Sequence, residues 1–216
     1  MDTTTRAPAV AGAFYPGSGD ELERTLVSLV PDEVAHHRLL ACIAPHAGYR
    51  YSGPIAASAY ATLAPWADGI RRVAVLAPSH RVPFRGIATS SADLFRTPLG
   101  DIAVDRVAVN RLQEMPAVHM LDAAFAEEHA LEVQLPFLQA VLPDFTLVPL
   151  IVGDADSDDV SAVIEALESE ETLIVVSSDL SHYHDYRSCQ QRDRETTQRI
   201  EAMQPAQIGP HDACGA

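Results

Sequence analysis

The sequence has 216 residues, of which 47% are hydrophobic, and this is enough for one substantial core, so we expect a single domain over residues 1–216. Its 30 acidic residues outnumber 15 basic ones, and a formal net charge of −15 gives no electrostatic attraction for nucleic acid or an anionic membrane. Every basic residue is arginine, which excludes chemistry that requires lysine, such as a Schiff base or a P-loop.

The first predicted elements are an irregular arm over residues 1–18, rich in proline and glycine, and a helix over residues 20–30, where leucines recur every three or four positions. The short apolar run at residues 39–44 is typical of a strand covered on both faces. After the loop PHAGYRYSG, Ser52 and Pro54 indicate the start of a second helix.

The order of strand, loop and helix then repeats. Residues 71–77 form the next apolar run, and the alternating segment after residue 86, with a turn at Pro98 and Gly100, predicts a hairpin. We expect a helix over residues 105–113. A longer helix should run from about residue 124 through EEHALEVQLPFLQAVL, kinked or bounded at Pro136.

The last third of the chain continues the alternation, with strands predicted at residues 145–153 and 172–178. The segment SDDVSAVIEALESE is expected to form the helix between them, and a charged helix follows over residues 187–203. Strands that alternate with helices predict an α/β fold with a mostly parallel central sheet flanked by helices.

Histidines follow the predicted strands. His46 ends the run LLACIAPH and His80 ends RRVAVLAPSH, so each histidine follows a predicted strand and an Ala-Pro dipeptide. Packing alone does not require this shared sequence. Because the carboxyl ends of parallel strands meet at one edge of a sheet, we expect these side chains to converge on a ligand or metal. The alternative is that each histidine caps a turn by donating to a loop carbonyl.

A third cluster, SSDLSHYHD, follows the strand at residues 172–178. We expect Asp179 and His182 to act as a pair, because a carboxylate beside an imidazole fixes its tautomer and raises its basicity. The alternative is an Asp that caps a helix in a solvated loop, and His184 fits that alternative better than His182 does.

Other histidines and the cysteines have weaker contexts. His129 and Glu132 share a face of the long predicted helix, and we expect His129 to line a pocket rather than to ligate a metal. His36, His37, His119 and His211 are expected to be structural or solvated. The three cysteines lack CxxC spacing, which argues against a disulfide framework; Cys42 is expected to be buried, Cys189 to lie on a helix surface, and Cys214 to be a candidate soft ligand.

The N-terminus lacks the features of a signal peptide, and no apolar run approaches the roughly 18 residues of a membrane span. Together with the cysteine usage, this predicts a cytoplasmic protein.

The chain resembles the Memo family, also called AmmeMemoRadiSam system protein B. The resemblance spans nearly the whole chain and rests on RAPAVAGAFYP, PHAGYRYSGPIAASAY, APSH, TPLGDIAVD, EEHALEVQLPFLQ, SSDLSHYHDY and the final ACG, all in family order. Memo chains continue beyond the ACG motif, so we expect the sequence to lack the family's C-terminal segment.

The resemblance implies a fold like that of the class III extradiol (LigB-type) ring-cleaving dioxygenases. It also implies an iron(II) or copper site at His46, His80 and Cys214, a pocket lined by Asp179 and His182, and a functional link to radical SAM and AMMECR-type proteins. Ring-cleaving dioxygenases hold iron through two histidines and a carboxylate, whereas a thiolate in the third place would change the oxygen reactivity of the metal, so ring cleavage itself is not inferred.

The sequence therefore predicts a metal-dependent redox enzyme that binds about one metal per chain. Asp179 and His182 would act as acid/base groups, and a small-molecule or peptide substrate would contact Tyr51, His129, Arg50 and Arg81. The alternative is a non-catalytic module that recognises a peptide or a small anion through the two arginines and the histidines.

Overall fold

The structure is a computed structural model that describes residues 3–31 and 39–215. His36 and His37 lie outside the described residues. The strands are β1 (Thr5–Arg6), β2 (Ala41–Ala44), β3 (Arg72–Pro78), β4 (Ile87–Thr89), β5 (Leu94–Thr97), β6 (Gly100–Ala103), β7 (Val118–Met120), β8 (Thr146–Val152) and β9 (Thr172–Ser177). The α-helices are α1 (Gly19–Leu29), α2 (Tyr49–Ala61), α3 (Arg106–Leu112), α4 (Ala123–Ala126), α5 (Leu135–Val141), α6 (Ser157–Leu167) and α7 (Tyr186–Glu201).

The central sheet has six strands in the order β2-β9-β3-β8-β4-β7. All neighbouring pairs are parallel except β4 and β8, which are antiparallel. A smaller sheet joins β1 to the hairpin β5-β6. The mostly parallel sheet flanked by helices confirms the predicted α/β fold class and is consistent with the dioxygenase-like architecture that the resemblance implies.

The central strands are buried because helices cover the sheet. The three middle strands consist mostly of Val, Leu, Ile and Ala, and all of their interior residues except the half-buried Val176 are buried. This is expected for parallel strands that are covered on both faces. In the described part of the chain, no helix is both long and apolar enough to cross a membrane.

Two predicted helices differ from the structure. Helix α2 begins at Tyr49 rather than near Ser52, because the Gly48 carbonyl already accepts the N–H groups of Tyr51 and Ser52, and Pro54 lies inside the helix. The predicted long helix from residue 124 is instead divided into α4, a loop, a short 3₁₀ turn (Glu132–Gln134) and α5. The predicted shared helical face of His129 and Glu132 is therefore wrong.

The start of α3 is stabilised by a carboxylate that also pairs with β3. The side chain of Asp105 accepts the N–H of Ala108 at 2.9 Å and lies 2.7 Å from Arg72 Nε. Burial raises the pKa of Asp105, but the hydrogen bonds from Ala108 and Arg72 outweigh it, and the pKa lies below its ordinary value. Asp105 thus caps the helix as a carboxylate.

We predict that Asp105→Asn reduces the acid sensitivity of the protein. A lowered folded-state pKa stabilises the protein above the unfolded-state pKa of about 3.9, and this stabilisation is lost as pH falls through the folded-state value. Urea unfolding at a series of pH values should therefore show a smaller loss of unfolding free energy below about pH 4 in the variant than in the wild type. Equal losses would contradict the assignment.

Candidate metal centre

Three neighbouring strands of the central sheet end at the candidate site. Ala44, the last residue of β2, pairs with Ser177, the last residue of β9, and β9 also pairs in parallel with β3. The segments that follow these strands carry His46, Asp179 and His80, respectively. The parallel register therefore places the three segments side by side, as the sequence predicted.

A fourth segment, the loop between α4 and the 3₁₀ turn, adds His129 to this edge of the sheet. One ligand atom from each of His46, His80 and His129 lies within 4.8 Å of the others. The ring centroids of His80 and His129 are 4.9 Å apart, and those of His46 and His80 are 5.2 Å apart. These three histidines could hold a metal ion, and we call them the histidine cluster.

Glu128 holds two members of the histidine cluster from behind. Its Oε1 lies 2.9 Å from His80 Nδ1 and 3.3 Å from His129 Nδ1, while its Oε2 accepts the backbone N–H of His80 at 2.7 Å. The backbone N–H groups of His129 and Ala130 also donate to Oε1. This buried carboxylate fixes the loop that interrupts the predicted long helix, because four N–H groups converge on its two oxygens.

Asp179 joins the segments that follow β2 and β9. Its Oδ1 accepts the backbone N–H of His46 at 2.6 Å and that of Ala47 at 3.3 Å. Its Oδ2 lies 3.5 Å from His182 Nε2 and 3.8 Å from His46 Nε2. The side chain of His182 is 44% exposed, so the expected pair of Asp179 and His182 lies between the histidine cluster and solvent.

Cys214 contacts the site through His80. Its Sγ lies 3.1 Å from His80 Nε2, its backbone N–H donates to the carbonyl of Asp179, and its carbonyl accepts the Ser178 hydroxyl. The thiol and the His129 ring therefore both lie close to His80. The cysteine expected from the resemblance and the histidine expected to line the pocket are two candidates for the third ligand.

The pKa values of two histidines in the cluster are shifted in opposite directions. Burial lowers the pKa of His46 to about 4 and outweighs the opposing influence of Asp179, so His46 is neutral at physiological pH and is ready to bind a metal. Hydrogen bonds with Cys214 and Glu128 raise the pKa of His80 to about 10. A metal that binds to His80 must therefore displace a proton.

The residues fit a transition-metal ion. Imidazole ligands suit iron, copper, zinc and nickel, and thiolate ligands favour the softer ions among them. The Nδ1 of His129 is buried and has no well-aligned hydrogen-bond partner among the residues that the structure describes. Three imidazoles that converge within 4.8 Å, with a thiol 3.1 Å from one of them, form a donor set of the kind that such ions bind.

Of the predicted substrate residues, His129 belongs to the histidine cluster and the other three are exposed. Arg50 and Tyr51 are exposed in the first turn of α2, and Arg81 is exposed directly after His80. No ion pair of either arginine occurs within residues 3–31 and 39–215. His184 is exposed, as are His119 and His211, whereas Cys42 and Cys189 are half-buried.

Sequence reasoning missed the residues that support the histidines. Glu128 holds His80 and His129, and Ser177 and Gln134 lie behind His46, with Gln134 Nε2 donating to Ser177 Oγ at 2.8 Å. The one available signal for Glu128 was its place beside His129 in EEHALEVQ. Glu132 from the same run lies elsewhere, since it binds the N-terminal arm through Arg6, Ala9, Val10 and Tyr15.

The fold and this site together define an α/β protein in which histidines at the carboxyl edge of a mostly parallel sheet could hold a metal ion. The chain belongs to the Memo family, because the family model described as Memo-like protein matches residues 6–209. A MEMO1 family protein of Methanopyrus kandleri is 35% identical and aligns with 93% of this chain and 77% of its own length. A MEMO1 family protein of Methanococcoides burtonii is 34% identical to this chain, over 94% of this chain and 78% of its own length. One of Aquifex aeolicus is 32% identical, over 94% of this chain and 77% of its own length.

Proposed function

We propose that the protein is a metal-dependent redox enzyme that uses non-haem iron or copper. The observation that carries this proposal is the convergence of His46, His80 and His129 within 4.8 Å, with Glu128 behind two of them. The metal would be held by His46 and His80, with Cys214 or His129 as the third ligand. When bound, it would supply one-electron chemistry and a Lewis-acid centre.

Asp179 and His182 would transfer protons near this centre. Asp179 Oδ2 lies between the Nε2 atoms of His46 and His182. The exposed ring of His182 could exchange its Nε2 proton with solvent, while Asp179 orients it, and this is the arrangement required of a general acid or base. The backbone N–H of His46 fixes the other oxygen of Asp179.

A non-catalytic binding function is the second candidate. It is favoured by Arg50 and Arg81, which are exposed, have no ion pair among the described residues and follow His46 and His80 closely in the sequence. Arginine forks bind carboxylate and phosphate groups. A peptide or a small anion would then be the ligand, and the histidine cluster would supply hydrogen bonds rather than bind a metal.

Metal analysis after anaerobic reconstitution with Fe(II) or Cu(I) tests the proposal. Wild-type protein should retain about one metal per chain after gel filtration, and His46→Ala should retain almost none. His119→Ala is the matched control, because His119 is an exposed histidine on β7, and it should bind as the wild type does. Stoichiometric metal in His46→Ala would contradict the proposal.

The same measurement on Cys214→Ala and His129→Ala identifies the third ligand, since the variant that lacks it should lose more metal. Oxygen uptake by the iron-loaded wild type with a series of catechols then tests redox activity. If a metal-free His80→Ala variant bound a phosphorylated peptide as tightly as the wild type does, the binding function would be favoured instead.

A further inference from the structure

We propose that Ser177 is a positioning residue that holds the proton of His46 on Nδ1, so that the lone pair of Nε2 is available to the metal. This inference rests on the proposed function for its purpose. The tautomer itself follows from the hydrogen bonds behind the ring, and it can be measured in the metal-free protein.

The hydrogen bonds begin at Gln134, whose amide orientation is determined by its neighbours. One end of the amide lies 3.0 Å from the carbonyl oxygen of Pro45, which can only accept, so this end is the NH₂ group. The other end accepts the hydroxyl of Tyr60 at 2.8 Å. The NH₂ group therefore also donates to Ser177 Oγ, at 2.8 Å.

The hydroxyl of Ser177 has one proton, and its position is also determined. Ser177 Oγ lies 2.6 Å from the carbonyl oxygen of Ala130. Two oxygens approach so closely only when a proton lies between them, and the carbonyl has none, so Ser177 donates to Ala130. Gln134 occupies one lone pair of the hydroxyl, and the remaining lone pair is left for His46.

His46 Nδ1 lies 3.0 Å from Ser177 Oγ. Because the hydroxyl has no second proton, Nδ1 must be the donor in this contact, and the neutral ring then carries its lone pair on Nε2. The opposite tautomer would place two lone pairs against each other in a buried site. His46, Ser177 and Gln134 are each at most 2% exposed, so water does not replace the lost hydrogen bond, and this arrangement is costly.

His80 is also held at Nδ1 by a partner behind the ring. The carboxylate of Glu128 can only accept, and it lies 2.9 Å from His80 Nδ1, so this nitrogen is also protonated. The Nδ1 of His46 donates to a neutral hydroxyl, and the Nδ1 of His80 donates to a carboxylate. Both rings therefore direct Nε2 away from the partners behind them. In His80 this nitrogen lies 3.1 Å from Cys214 Sγ, and it carries the proton that a metal must displace.

The test uses metal-free protein labelled with nitrogen-15 in its histidines. Long-range proton–nitrogen correlation spectra near neutral pH should show His46 protonated on Nδ1 in the wild type. Ser177→Ala removes the acceptor and should shift His46 toward the Nε2-protonated form. Anaerobic Fe(II) competition titrations should then give a roughly 10–100-fold weaker affinity for Ser177→Ala, and Ser177→Thr, which keeps the hydroxyl, should restore much of it.

Ser90→Ala is the matched control, because Ser90 is also a buried serine, but its hydroxyl donates to Asp122 and accepts the N–H of Ala92. It should leave both the His46 spectrum and the Fe(II) affinity unchanged. Wild-type His46 with its proton on Nε2, or a Ser177→Ala variant with unchanged spectrum and affinity, would overturn the inference. The wild-type spectrum decides the tautomer even if Ser177→Ala does not fold.

The failure of this inference can be told apart from the failure of the proposed function. If the wild type binds no metal but His46 carries its proton on Nδ1 in a Ser177-dependent way, the positioning role stands and the metal-dependent function falls. If metal binds and Ser177→Ala has no effect on the spectrum or the affinity, the function stands and the positioning role falls.

Discussion

Glu132→Ala should lower the free energy of unfolding by about 3–5 kcal/mol, which is the cost of removing one partner from a buried ion pair. Glu132 is fully buried and pairs with Arg6, which is itself only 9% exposed. Its carboxylate also accepts the backbone N–H groups of Ala9 and Val10 and the hydroxyl of Tyr15. The substitution would leave three donors without their acceptor. It would also leave the guanidinium of Arg6 without its counter-ion, with only the carbonyls of Phe125 and Glu128 as acceptors.

Urea unfolding followed by circular dichroism measures this loss. Asp154→Ala is the matched control, because Asp154 pairs with Arg85 at 3.8 Å with both side chains largely exposed, and exposed pairs contribute little. Its unfolding free energy should stay close to that of the wild type. If Glu132→Ala were no less stable than this control, the proposed anchoring of the arm by Glu132 would be wrong.

The N-terminal arm also contacts the candidate site, so the loss of Glu132 should also alter the surroundings of the histidine cluster. The ring of Phe14 lies 4.7 Å from that of His129, measured between centroids, and the carbonyl of Phe14 accepts the N–H of Tyr49. One side of the histidine cluster is therefore formed by a segment that Glu132 holds in place.

Glu128→Gln should weaken metal binding by roughly 10–100-fold, as expected when a carboxylate behind metal-binding histidines is lost. Four N–H groups donate to this carboxylate, including His80 Nδ1. A glutamine side chain presents an NH₂ group in place of one oxygen, so a donor would face another donor. His80 would then lose its fixed orientation.

Glu127→Gln provides a closely matched control, since Glu127 is the preceding residue in the chain and its side chain is exposed. Competition titrations with Fe(II) under anaerobic conditions should show wild-type affinity for this variant. Equal affinities of Glu128→Gln and the wild type would mean that Glu128 holds the loop but not the metal site.

The regular elements were predictable because their signals are local. The apolar runs that became β2, β3, β8 and β9 matched their predicted ranges within about two residues, and the turn at Pro98 and Gly100 joins β5 to β6 as predicted. The short strand β7 was not predicted, because three residues give too little periodicity. The divided helix was not predicted because its interruption depends on Glu128, whose partner His80 lies 48 residues away.

The convergence at the sheet edge was predictable for a different reason. Parallel strands place their carboxyl ends together, so His46, His80 and Asp179 could be grouped from the sequence before any contact was known. The hydrogen-bond partners of those residues could not be predicted in this way. Ser177 contacts His46 across 131 positions of the chain, and only the folded register of β2 and β9 brings them together.

The histidine cluster draws its members from positions 46, 80 and 129, each in a different segment of the chain. An unfolded chain therefore offers only scattered and weak ligands, and a metal that binds the native site selects the folded state. By mass action, free metal at 100 times its dissociation constant would add about 2.7 kcal/mol to the unfolding free energy. In the proposed metal-bound state, the measured stability of this protein would therefore depend on the concentration of free metal.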